Sequence, residues 1–282
     1  VSNAPADVPV SGCTLWTSRG GVALHVRGSG EPVLLLHGIG STAQSCAELA
    51  QQLSALGWRT YCWDAPGYGE SADPTSELVD HTQVVLDLLD ELELDTVHLF
   101  GSSWGGVIAM ETALRSPDRV ASLTVADSTR GSGVTPDKAR AMRARVNELR
   151  TEGSESFAAR RAPRLVSPSA TTQVLRAVET EMSRVRVAGY LPAVEYMATH
   201  DLGPQLHRLD APTLVLVGED DIVTGVPESL LLSRAIPDAR FGLVVGAGHA
   251  AVHERPDVLA VHMTDFLTEH TVVAAANRDR SR

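Results

Sequence analysis

Cysteine is scarce in this 282-residue chain: Cys13, Cys46 and Cys62 are the only three, with no C-x-x-C spacing. An odd, scattered set argues against a disulfide framework and a cysteine zinc cluster, and it suits a reducing compartment. Long apolar runs are missing too. The longest, such as Pro32–Leu36 and Thr213–Val217, have strand length, far short of the ~20 residues a bilayer demands. Val1–Asp7 shows neither a basic nor an apolar leader region, so no signal peptide is read there and a cytoplasmic protein is expected. Positive charge is in deficit, with 24 Lys+Arg against 35 Asp+Glu, a net charge of -11. Such a surface repels phosphate backbones, so neither nucleic acid nor a membrane is expected as a partner. What remains is an ordinary globular composition, 43% hydrophobic and 21% charged, which excludes disorder and collagen-like repeats. A chain this long buries a sizeable core without disulfides or a structural metal.

Short apolar runs alternate with longer amphipathic stretches, the pattern of a mostly parallel sheet flanked by helices. Leu15–Thr17 and Val22–Val26, around Gly20-Gly21, read as an opening hairpin. Core strands are expected at 33–37, 60–64, 97–101, 123–126, 214–218 and 242–245. Helices are expected at 46–56, 77–92, 105–115, 228–235 and 256–268. From about 130 to 208 no strand-like run occurs, and the composition turns helical and arginine-rich. Residues 130–210 hold thirteen Lys+Arg and nine Asp+Glu, a balance of +4 that leaves -15 for the rest. This segment reads as a helical lid inserted after the sixth of eight strands, over the sheet's carboxyl edge. The expected division is a core of residues 1–129 and 209–270, a lid of 130–208, and a frayed tail of 271–282.

Gly101-Ser102-Ser103-Trp104-Gly105 follows an expected strand and opens an expected helix. In that context G-x-S-x-G marks a tight corner whose central side chain stands exposed at a helix N-terminus, which singles out Ser103 as a nucleophile. A serine hydroxyl needs a base. His249, in Gly246-Ala247-Gly248-His249 beyond the last strand, is the choice; His253 is the near rival, and the other histidines fall within elements or lack a strand-end setting. The acid that orients the imidazole is sought at another strand end, in Gly218-Glu219-Asp220-Asp221. Asp221 is preferred and Asp220 stands second; Asp127, at the end of the preceding strand, is a substitute acid but is read rather as holding the loop into the lid. His37-Gly38-Ile39-Gly40 follows the strand at 33–36. Its Ile39 N–H and the Trp104 N–H can face an oxyanion. Gly38 is a candidate substrate contact and His37 a structural one.

Together these segments resemble the α/β-hydrolase fold superfamily. The resemblance extends to Asp64-Ala65-Pro66-Gly67-Tyr68-Gly69-Glu70-Ser71, similar to its D-x-P-G-x-G-x-S turn, and to Gly248-His249 followed by Glu254-Arg255-Pro256. It implies a Ser103–Asp221–His249 triad, Ile39 and Trp104 as oxyanion donors, and neither metal nor organic cofactor. A serine at the corner points to acyl-enzyme chemistry on a small ester or lactone, with some similarity to 3-oxoadipate enol-lactonases. Carbon–carbon bond hydrolases of ring-cleavage products are the alternative; those follow the loop histidine with Trp, where this chain has Ala250. A perhydrolase or a ligand receptor on the same fold is a further reading. The expected partner is a small-molecule ester, lactone or ketone, bound by a monomer or homo-oligomer. The lid's relative positive charge suggests a substrate carboxylate held by Arg130, Arg160, Arg161 or Arg164.

Overall fold

The structure, a computed structural model, describes residues 13–17 and 21–271. Eight strands form one sheet: β1 (Cys13–Trp16), β2 (Ala23–Arg27), β3 (Pro32–Leu36), β4 (Arg59–Trp63), β5 (Val97–Ser102), β6 (Val120–Ala126), β7 (Thr213–Gly218) and β8 (Arg240–Val244). Their order is β1-β2-β4-β3-β5-β6-β7-β8. β2 runs antiparallel to both its neighbours and every other pairing is parallel. The Gly20 side of the expected hairpin turn and all of the expected tail but residue 271 lie outside the described residues.

Nine α-helices accompany these strands among the described residues: α1 (Ala47–Ala55), α2 (His81–Glu91), α3 (Trp104–Arg115), α4 (Pro136–Arg161), α5 (Thr172–Met182), α6 (Val187–Thr199), α7 (Gly225–Ala235), α8 (Ala251–Glu254) and α9 (Pro256–Glu269). None is long and apolar enough to cross a membrane. Most expected boundaries shift by only one to three residues. The helix expected from 77 begins instead at His81, because the Asp80 carboxylate accepts from the Gln83 N–H and fixes the start there.

Side-chain alternation along β3 shows how the layers are made. Val33 and Leu35 face a core filled by Leu49 and Leu53 of α1 and Met263 and Phe266 of α9. Leu34 and Leu36 face the other way, onto a core shared with Leu88 of α2 and Ile108 of α3. Each such leucine contributes roughly 1.5–3 kcal/mol of burial. Only helical elements separate β6 from β7, and Met142, Phe157 and Tyr190 of this insertion join the second core. The 136–161 helix breaks at Gly153, whose φ of 77° leaves the helical region.

One topological fact places the site. From β3 the chain moves to β4 on one side and then returns to β5 on the other, so strand order reverses between β3 and β5. Loops leaving those two strands part and open a crevice at the carboxyl edge. Leu36 pairs with Gly101 across this point, which brings the His37–Gly40 loop beside Ser103.

Candidate active site

Ser103 lies between β5 and α3 with φ 51° and ψ -113°, a strained conformation for a residue with a Cβ, costing of order 1–3 kcal/mol. Its surroundings hold it there. Its N–H donates to the Ala126 carbonyl at 2.8 Å, and its own carbonyl accepts from the Ser128 hydroxyl at 2.8 Å. The flanking glycines are required by close approach: a Cβ on Gly101 would strike the Gly105 carbonyl, and one on Gly105 the Leu36 carbonyl.

His249 reaches Ser103 from the loop after β8. Its Nε2 lies 3.0 Å from Ser103 Oγ, and its Nδ1 lies 3.0 Å from Asp221 Oδ2. A carboxylate only accepts, so Nδ1 carries the proton and Nε2 is left to accept from the serine hydroxyl. The Asp221 side chain is wholly buried. Burial alone would raise its pKa; the His249 hydrogen bond and charge, the Thr224 hydroxyl and the Val223 N–H outweigh it and bring it down to about 2. Val223 N–H (2.7 Å) and Thr224 N–H (3.2 Å) both donate to Oδ1, while the Thr224 hydroxyl donates to Oδ2 at 2.6 Å.

The competing acids go elsewhere. Asp220 accepts from the Ser167 hydroxyl of the insertion at 2.6 Å. Asp127 accepts from the Gly218 N–H at 2.7 Å, tying the end of β6 to β7, and burial and the Asp221 charge push its pKa well up. Glu254 supports the histidine loop from below. Its two oxygens accept from Gly248 N–H at 2.7 Å and from Ser167 N–H at 2.8 Å, so one side chain joins that loop to the insertion.

On the opposite wall, buried His37 donates from Nδ1 to the Gly38 carbonyl at 2.8 Å and accepts at Nε2 from Ala65 N–H at 3.1 Å. Its bonding therefore extends beyond its own loop, and burial lowers its pKa. Asp64 accepts from Ala43 N–H at 2.8 Å and Glu70 N–H at 2.9 Å, fixing the β4 corner against the stretch after the Gly38–Gly40 loop. The next residue of that loop, Ser41, donates at 2.7 Å to Glu181, a buried acid on α5 that also lies 3.5 Å from His253. Gly38 and Ile39 line the cavity beside Ser103, and Trp104 N–H is the first of α3, where its own helix offers no acceptor.

That cavity measures about 290 Å³ and is bounded by Ser103, His249, the Gly38–Ser41 loop and the insertion. Of the four arginines expected to bind substrate, only Arg161 lines it. Arg130 is taken by Glu228 at 2.9 Å, Arg160 is taken outside by Glu148 and Glu152, and Arg164 is exposed. Lys138 and Arg145 line the cavity and were not among the expected residues. The signal was present: Lys138, Met142 and Arg145 recur at helical spacing, which puts them on one face of α4. Among the described residues no cluster of three or more His, Cys, Asp or Glu is arranged to hold a metal ion.

A family model described as "alpha/beta hydrolase fold" matches residues 31–256. A "2-hydroxy-6-oxononadienedioate/2-hydroxy-6-oxononatrienedioate hydrolase 1" of Dechloromonas aromatica is 30% identical over 258 residues, covering 86% of this chain and 88% of that protein. Among solved structures, a thermophilic esterase from Thermogutta terrifontis with malate bound superposes with a TM-score of 0.83 at 26% identity, covering 92% of this chain and 99% of that one. An enol-lactonase from Burkholderia xenovorans gives 0.82 at 25% identity, covering 90% and 100%.

Proposed function

This chain belongs to the alpha/beta hydrolase fold family, and from that premise we propose that it hydrolyses a small carboxylic ester or lactone through a Ser103 acyl-enzyme. The observation that carries this reading is the unbroken line of hydrogen bonds from Ser103 through His249 to Asp221, opening into the cavity beside them. His249 Nε2 takes the serine proton as Oγ attacks the substrate carbonyl. Negative charge then develops on the carbonyl oxygen, where the N–H groups of Ile39 and Trp104 stabilise it. The tetrahedral intermediate collapses, His249 gives its proton to the departing alcohol, and the acyl group remains on Ser103. Water enters and loses a proton to His249 as it attacks the acyl carbon, and His249 returns that proton to Ser103 Oγ as the acid departs; Asp221 steadies the imidazolium in both halves. Residues 130–208 act as the lid that shapes the pocket over the 1–129 and 209–270 core.

A second reading is favoured by the Dechloromonas relative, whose name denotes hydrolysis of a dienedioate. In carbon–carbon cleavage the same serine would attack a ketone and the leaving group would be carbon rather than oxygen. Product identification on an ester and on a ring-cleavage diketone separates the two.

Ser103→Ala should abolish turnover of p-nitrophenyl butyrate by at least ~10⁴-fold and prevent labelling by a phosphonate, with circular dichroism unchanged. Turnover surviving at the wild-type rate would refute the proposal.

A further inference from the structure

Positive charge in the cavity exceeds the carboxylates that answer it. Lys138, the only lysine in the chain, and Arg145 lie on one face of α4, and Arg161 stands at that helix's end. The Arg161 side chain is only 14% exposed and lies over the Phe157 ring at 5.2 Å. Its nearest carboxylate, Glu148, is 3.9 Å away and is already engaged by Arg160 at 2.9 Å. Among the described residues no carboxylate lies within 4.0 Å of the charged nitrogens of Lys138 or Arg145; the Arg145 side chain instead reaches the Tyr190 hydroxyl. Arg140, Arg143, Arg160 and Arg186 of the insertion each hold an acid close by, and the arginines there that hold none, Arg150, Arg164, Arg176, Arg184 and Arg208, are exposed to solvent. The cavity's own acid, Glu228, is neutralised by Arg130.

The physical balance is unusual for a chain of net charge -11. Burying a guanidinium without a partner costs several kcal/mol unless a second group compensates. Burial lowers the Arg161 pKa, and repulsion from Arg145 adds to it. Two neighbouring guanidiniums short of counter-charge, on the wall of the pocket that holds Ser103, are matched by a planar anion that takes N–H bonds from both.

We propose that Arg145 and Arg161, with Lys138 at the rim, bind a free carboxylate on the substrate, so that the substrate class is a half-ester or lactone of a dicarboxylic acid. This rests on the Ser103 acyl-enzyme reading for its chemistry but not for its binding. The carboxylate clamp would orient the far end of the substrate while the scissile carbonyl meets Ser103, and remote binding of this kind is available to lower the barrier.

Two arms test it. In the first, kcat/KM is compared for the p-nitrophenyl half-ester of glutaric acid and for neutral p-nitrophenyl pentanoate, of equal acyl length. The wild type should favour the anion by about tenfold or more. Arg145→Gln and Arg161→Gln should each cut that ratio by about tenfold, whereas Arg150→Gln, exposed on the same helix, should leave it unchanged. A wild-type ratio near one, or variants that lower both substrates equally, would overturn the proposal. In the second arm, calorimetry follows glutarate binding to Ser103→Ala and to the same protein carrying Arg161→Gln or Arg145→Gln. Binding to the first and loss in the others supports the subsite. No binding to Ser103→Ala, or inorganic phosphate binding in preference to glutarate, overturns it. If neither ester is hydrolysed by the wild type, the hydrolase reading falls and the calorimetric arm alone decides the subsite.

Discussion

Replacing Asp221 by Asn removes one charge at almost constant volume, and the geometry dictates how the amide must sit. Oδ1 accepts two backbone N–H groups, from Val223 and Thr224, that cannot turn away. The amide oxygen must take that place, which puts the NH2 group opposite His249 Nδ1 and the Thr224 hydroxyl. The hydroxyl can rotate to accept; the imidazole can answer only by offering the Nδ1 lone pair, so its proton moves to Nε2. His249 then presents N–H to Ser103 and cannot act as its base. A fall in kcat of ~10⁴-fold is expected, the size found for the same tautomer reversal in serine proteases, or about 5.5 kcal/mol of barrier. Stability falls as well. A buried carboxylate held at about 2 rather than 3.8 contributes roughly 2 kcal/mol at neutral pH. That contribution is present above pH ~4 and lost as pH falls toward 2, so the variant should melt a few degrees lower at pH 7 and show a weaker acid limb. Turnover of p-nitrophenyl butyrate and thermal melts measure both. Asp220→Asn, which loses only its place beneath Ser167, should stay within a few-fold of wild type. A kcat loss below ~10-fold in a folded Asp221→Asn protein would refute the orienting role argued from tautomer control.

Asp127 and Glu254 give two further expectations. The Asp127 pKa is raised in the fold by burial and by Asp221, so its favourable contribution exists at low pH and is lost as pH climbs above 3.8 through the folded value. Asp127→Asn should therefore compare better with wild type at pH 8 than at pH 4 in thermal melts; an equal difference at both pH values would contradict this. Glu254→Gln leaves one carbonyl oxygen to serve two N–H donors, Gly248 and Ser167, and sets an NH2 group against the other. A loss of about 1–2 kcal/mol in urea unfolding is expected, with kcat reduced more than KM through the histidine loop, and an unmoved unfolding midpoint would count against it.

The sheet was readable because its strands are buried on both faces and so appear as unbroken apolar runs, as in Pro32–Leu36. Ser103 was equally legible, since strand, glycine spacing and helix are all local to one stretch of chain. Asp220 and Asp221 are different. Adjacent carboxylates look alike in sequence, and only the turn made by Val223 and Thr224 sends one to His249 and the other to Ser167. The insertion was hardest to read. Its charge excess was plain, yet which arginines face inward depends on how α4 docks, and the break at Gly153 resets the phase between Arg145 and Arg161. Arg130 and Arg160 carried the same sequence signal as Arg161 and are drawn away by Glu228 and Glu152.

The left-handed backbone at position 103 carries a consequence for how such a chain would age if its reaction ceased to matter. Alanine there keeps the Cβ and hence the strain, while glycine would relax it, making the inert protein the sturdier one. Selection for durability alone would thus erode the reactive corner before it touched the sheet beneath.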